Sequence, residues 1–119
     1  MKLLNTITEE VKKSKFIGYM YEVESIEEVE TILIQIKEEH KKARHIPYAY
    51  KLTNSAKKTD DKEPKNTAGM PIYTCLERNN LDNRLILIVR YFGGTKLGVG
   101  LLTRTYANVA NNLIKTVIK

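Results

Sequence analysis

Long apolar runs are missing from this 119-residue chain, and cysteine occurs once. No stretch approaches the roughly 18 apolar residues that a membrane-spanning helix needs, and the polar start from Met1 to Lys15 lacks the apolar centre of a secretory signal. Both absences argue against a membrane and favour the cytoplasm. Cys75 has no second cysteine for an internal disulfide, so it is expected to fill the core. His40, His45 and Cys75 stand in neither CxxC nor HExxH spacing, and no metal site is expected from them. Ser14 and Ser55 have no local partners that would mark a nucleophilic triad.

Acidic residues are absent from Arg90 to Lys119, where five basic residues lie, whereas Glu22 to Glu39 carries seven acidic residues against one lysine. The net charge of +6 permits attraction to nucleic acid or an acidic partner, and its uneven placement predicts an electrostatically two-sided molecule. The length fits one domain spanning residues 1–119.

Lys15 to Val23 is rich in aromatic and apolar residues and reads as a strand, with Leu3 to Val11 a weaker strand before it, so a hairpin is expected. Ser25 and Glu28 have capping-box spacing. Behind them Ile26, Val29, Ile32, Leu33 and Ile36 recur with helical period. His45 to Leu52 reads as a strand in which Pro47 suggests an edge or bulge. Asn54 to Gly69 reads as loop, Met70 to Leu76 as a strand, and Arg84 to Tyr91 as the most strongly signalled strand. Leu102, Tyr106, Val109, Leu113 and Val117 form an apolar stripe at spacings of three and four, which predicts a final helix. Strands, helix, strands, helix is the order of an α+β domain, a two-layer sandwich with both helices on one face of a mixed or antiparallel sheet.

Two segments carry candidate chemistry. Gly93, Gly94, Gly98 and Gly100 lie between the strongest strand and the last helix, where free amides at a helix start favour an anion. Arg90, Lys96 and Arg104 would add charge there. The segment is neither a P-loop, since Thr95 precedes Lys96, nor a dinucleotide fingerprint, since position 103 is not glycine. The same glycines also suit a tight strand-to-helix turn with no ligand. Asp60, Asp61 and Glu63 place three carboxylates in one polar loop, which would suit a hard cation or a basic group but equally a solvated charge cluster flanked by lysines. The seven tyrosines offer stacking surfaces, though core packing is the default for tyrosines on strands.

Ser14 to Ile17, Ala43-Arg44-His45 with Ala49-Tyr50, Asp60 to Pro64, Asn66 to Gly69, and Arg90 to Gly98 followed by Leu102, Arg104 and Tyr106 together resemble the YigZ/IMPACT family N-terminal domain. The resemblance spans most of the chain. The sequence departs from the pattern at Lys62, Asn66 and Leu101, where glycine is usual, and at Pro47, where cysteine is common. The resemblance implies a fold like the second domain of ribosomal protein S-five. It also implies that the ferredoxin-like domain found in many bacterial relatives is absent from this chain.

On that resemblance the expected function is a regulatory binding module associated with translation, acting through RNA or a ribosome-associated protein, and more a binder than an enzyme. The ligand-binding set is expected to be Arg44, His45, Asp60, Asp61, Glu63, Arg90, Gly93, Gly94, Lys96, Gly98, Gly100 and Arg104. The alternatives are an enzyme acting on a small phosphorylated substrate with a divalent cation, and a domain that binds protein alone. No resident cofactor is expected. Every functional version requires the acidic loop and the glycine turn to meet in one cleft.

Overall fold

The alternation of side chains along Arg84–Tyr91 organises the molecule. In the computed structural model, which describes residues 1–116, Ile86 and Ile88 enter one apolar cluster while Leu85, Leu87 and Val89 enter another. A strand that buries both faces needs cover on both. Helices on each side of the sheet supply that cover.

The strands are β1 (Lys2–Val11), β2 (Ser14–Glu22), β3 (Tyr48–Lys51), β4 (Ala56–Thr59) and β5 (Arg84–Tyr91). They form one sheet in the order β1-β2-β5-β3-β4, with every neighbouring pair antiparallel. The hairpin of β1 and β2 closes through Lys12 and Lys13, both at positive φ. The helices are α1 (Ile26–Glu39), α2 (Gly69–Arg78) and α3 (Val99–Lys115). No helix among the described residues is long and apolar enough to cross a membrane.

The α+β class and the antiparallel sheet agree with the sequence reading, and two helices do share one face. They are α2 and α3, which pack with Phe16, Met20, Ile86 and Ile88. The helix expected beside α3, α1, lies on the opposite face against Leu85, Leu87 and Val89, so the layers number three. Helical periodicity shows that a face is apolar but not which side of a sheet it meets.

Three local expectations are corrected. Met70 to Leu76 is helix rather than strand, because Ile72, Cys75 and Leu76 are buried at spacings of three and one, a helical period masked by the β-favouring Ile72, Tyr73 and Thr74. Pro71 is tolerated because it falls in the first turn. The presumed loop contains β4, an exposed edge strand whose sequence Ala-Lys-Lys-Thr has no apolar alternation to announce it. Finally, β3 is an interior strand between β5 and β4, and Pro47 precedes it rather than marking an edge, its carbonyl accepting from the Ile88 amide.

Ser25 caps α1 as its spacing predicts, its Oγ accepting from the Glu28 amide. Glu28 returns one residue further than a capping box requires, accepting from the Glu24 amide. On α3, Leu102, Tyr106, Val109 and Leu113 are buried; Val117, the last member of the expected stripe, lies outside the described residues. Burial pushes the Cys75 thiol above its ordinary pKa, which suits a packing residue and not a nucleophile.

Candidate functional site

Residues 86, 88 and 90 of β5 point to the α2–α3 face by strand alternation, so the last of them, Arg90, is carried into the interior at the end of the sheet. There its Nη1 donates to both carboxylate oxygens of Glu63, at 2.8 and 2.7 Å. Tyr106 of α3 donates its hydroxyl to Glu63 Oε2. Burial first, and the Glu63 carboxylate second, push the Tyr106 hydroxyl far above its ordinary pKa, so it stays a neutral donor. Phe16, the cross-strand partner of Arg90, meets Tyr106 edge to face at 5.3 Å and lies 5.5 Å from the Arg90 guanidinium. Arg90 and Glu63 are each 6% exposed, so this is a buried, charge-assisted pair joining the acidic loop, the sheet and α3.

His45 completes the floor. Its Nδ1 lies 2.8 Å from the Asp61 carbonyl oxygen, which only accepts, so Nδ1 carries a proton. That fixes the ring with Nε2 3.6 Å from Glu63 Oε1. Above the floor opens a cavity of about 320 Å³, lined by Arg44, His45, Glu63, Arg90, Phe92 and Lys96 and by the start of α3 at Gly98, Val99 and Leu102. Gly98, at φ 79, supplies no capping side chain, and the first turn of α3 has no acidic residue. The amides of the first turn are thus left without helical acceptors at the positive end of the helix dipole.

The acidic loop and the glycine turn therefore do meet in one cleft, but through Glu63 alone among the carboxylates. Asp60 builds the loop instead. Its Oδ1 accepts from the amides of Ala68 and Gly69 and its Oδ2 from Asn66, capping α2 from eight residues upstream where Ala68 has no side chain to do so. Asp61 Oδ2 accepts from the Ile46 amide, which ties the loop to the segment that carries His45. Asp60→Ala should remove these acceptors together and lower the unfolding free energy by about 2–3 kcal/mol. Urea unfolding would measure it, and a midpoint equal to wild type would refute the capping role.

Among the expected residues, Arg44, His45, Glu63, Arg90, Lys96 and Gly98 line the cavity. Gly93 lies against the β1–β2 turn, where a Cβ would stand 2.1 Å from the Lys13 carbonyl carbon. Gly94 supplies a φ of 93 within the turn. Gly100 and Arg104 sit on α3 outside the cavity wall, with Arg104 exposed and its guanidinium 3.4 Å from where a Gly100 Cβ would be. Lys62 and Asn66, standing where the resemblance has glycine, both keep a positive φ, 69 and 64, so the loop retains the backbone shape that glycine adopts without strain.

Sequence reasoning missed Phe92 and Tyr106 as site residues. Tyr106 is indistinguishable from a core tyrosine until its partner is known. Phe92, one of the two phenylalanines, had a signal: it is a large aromatic beside a glycine pair at the end of a buried strand. It is 36% exposed, with the Arg44 guanidinium 4.6 Å and the Arg90 guanidinium 5.9 Å from its ring centre.

The charge asymmetry acquires a direction. The turn with Lys12 and Lys13, Lys15 over the Tyr91 ring, Lys41 and Lys42 after α1, and Arg44 and Lys96 all lie at the cavity end of the sheet. Of these, Lys41 alone has a carboxylate within ion-pair distance among the described residues, Glu38 at 3.5 Å. At the other end stand Glu22, Glu24, Glu27 and Glu28, where Arg84 and Lys51 are paired with Glu22 and Asp82. Among the described residues no three His, Cys, Asp or Glu side chains are grouped to hold a metal ion.

Residues 12–114 match the family model of the Impact N-terminal domain. An IMPACT family member of Haemophilus influenzae is 39% identical over 114 residues, covering 92% of this chain and 55% of the relative. The crystal structure of a hypothetical protein superposes with a TM-score of 0.92 at 29% identity, over 98% of this chain and 58% of the other. The two-domain translational regulator Yih1 shares the fold at a TM-score of 0.57 and 20% identity, over 98% of this chain and 46% of that one. The chain spans about half the length of the curated relatives it matches.

Proposed function

The chain belongs to the Impact N-terminal domain family, and from that premise we propose that it is a regulatory binding module of translation whose cationic cleft grips an anionic group of RNA. The carrying observation is the closed Glu63–Arg90 pair. It neutralises the acidic residue of the cavity wall and leaves Arg44 and Lys96 as net positive charge around an uncapped helix start. Such a site favours phosphate. The role of Yih1 as a translational regulator motivates the link to translation, and RNA is the polyanion that translation supplies throughout.

A phosphotransfer reading with a divalent cation has less support, because Asp60 and Asp61 hold backbone amides and Glu63 holds Arg90. A ribosome-associated protein would have to present its own acidic group to the same rim. Fluorescence anisotropy with labelled RNA across a salt series tests the reading. Affinity should fall steeply with salt, and Lys96→Ala should weaken binding to every sequence alike while lowering the slope of log K against log salt by about 0.7–0.9. Binding that is absent, or indifferent to salt, would count against RNA.

A further inference from the structure

We infer that the cavity receives one nucleotide of a single strand, with its base laid on the Phe92–Arg44 pair and its flanking phosphates held by Lys96 and the basic rim. This rests on the reading of the cleft as an RNA-binding site and adds which form of RNA enters it and how.

The first observation is the platform. Phe92 is exposed at the cavity mouth, and the exposed Arg44 guanidinium lies 4.6 Å over its ring. An aromatic ring and a guanidinium plane are the two side-chain surfaces on which unpaired bases stack. An acidic protein segment would use the cations at this mouth but has no need of a flat aromatic face between them. The second observation is the shape. At about 320 Å³ the cavity is at the lower end of small-ligand sites, with room for one nucleotide, and a base inside a duplex is paired and stacked and cannot enter it. Leu97, Val99 and Leu102 supply apolar wall on which a base or sugar edge packs.

The third observation is an unmet polar group. Arg90, more than nine-tenths buried, lines this cavity, and among the described residues its Nε has no hydrogen-bond partner. A buried donor left unpaired is uncommon in a folded protein. The cationic rim then continues away from the cavity. Gly93, next to Phe92, packs on the backbone of Lys13, which puts the Lys12–Lys13 turn and Lys15 beyond the platform, where a backbone leaving the cavity would find its next phosphates.

The test compares a short fluorescein-labelled oligouridine with a blunt RNA duplex of equal length, by anisotropy with the full chain. The wild type should prefer the single strand at the same salt. Phe92→Leu, which keeps an apolar side chain and removes the aromatic face, should weaken single-strand binding roughly tenfold while leaving duplex affinity and the salt slope unchanged. Phe92→Tyr should bind as the wild type does. Arg44→Lys, an exposed change that keeps the charge and removes the guanidinium plane, should reproduce the single-strand loss without altering the melting temperature, which keeps the result readable if Phe92→Leu folds less stably. Unchanged single-strand affinity in both Phe92→Leu and Arg44→Lys, with Lys96→Ala still weakened, would overturn the stacking site and leave the anion-binding reading intact. A wild type that prefers duplex would likewise overturn the single-strand inference alone. Absence of binding to either RNA at low salt would overturn both.

Discussion

Glu63→Ala should lower the unfolding free energy by about 3–5 kcal/mol, the cost of stripping one partner from a buried ion pair. The magnitude follows from what is left behind. Arg90, 6% exposed in the native fold, would be left with Nη1 unpaired beside an Nε that already lacks a partner among the described residues, and the buried Tyr106 hydroxyl would lose its acceptor. The contact from one guanidinium nitrogen to both carboxylate oxygens, between side chains 27 residues apart, also fastens the β4–α2 loop to the sheet, so the loop should loosen and the cavity floor with it. Urea unfolding followed by circular dichroism measures the loss, and hydrogen exchange should show the amides of Ala68 and Gly69 less protected. The decisive control is Glu63→Met with Arg90→Met. Replacing both charges by apolar groups removes the uncompensated desolvation, so the double variant should be more stable than either single one. A double variant as unstable as the sum of its singles would show that the pair acts through something other than its buried charge.

Gly93→Ala should be nearly as damaging, at about 3 kcal/mol, near the upper end of what overpacking costs. The added carbon would lie 2.1 Å from the Lys13 carbonyl carbon, 2.2 Å from its oxygen and 2.5 Å from the Ser14 nitrogen. These are backbone atoms of a tight turn and cannot rotate away as a side-chain tip would. The wedge should part the β1–β2 turn from the end of β5 and break the bond from the Gly93 amide to Ser14 Oγ, 3.2 Å in the native fold. Gly94→Ala is the comparison that isolates the cause. Gly94 has φ 93 and open space where a Cβ would go, so its cost is backbone strain alone, about 1–2 kcal/mol. Thermal melts of the two variants should rank Gly93→Ala well below Gly94→Ala; the reverse order would mean that the turn yields easily. Gly93→Ala also bears on function, since Gly93 couples the Lys13 turn to Phe92 and thus the basic rim to the cavity.

The glycine-rich segment, legible in the sequence as one motif, therefore divides into separate physical duties. Gly93 admits a neighbouring strand turn, Gly94 and Gly98 supply positive φ, and Gly100 belongs to the first turn of α3. The acidic motif divides likewise, with Asp60 and Asp61 holding backbone and Glu63 holding Arg90. A cluster of like residues in a sequence suggests one joint task, because nothing local distinguishes a carboxylate that will meet an amide from one that will meet a guanidinium.

What the sequence determined alone was whatever repeats over a few residues. The β1–β2 hairpin, α1 with its serine cap, β5 and α3 all follow from periods of two and 3.6 and from short-range capping, because those signals are written in neighbours along the chain. Tertiary structure decided the rest: that α1 covers the opposite face from α3, that residues 69–78 coil under a cap supplied by Asp60, and that Glu63 meets Arg90 and Tyr106 across 27 and 43 residues. Such pairings depend on where two distant segments come to rest, and local composition does not encode that. The cleft is made of those pairings, so Arg44, His45, Glu63, Arg90, Lys96 and Gly98 were candidates in the sequence while Phe92, Tyr106 and the architecture that joins them were not legible there.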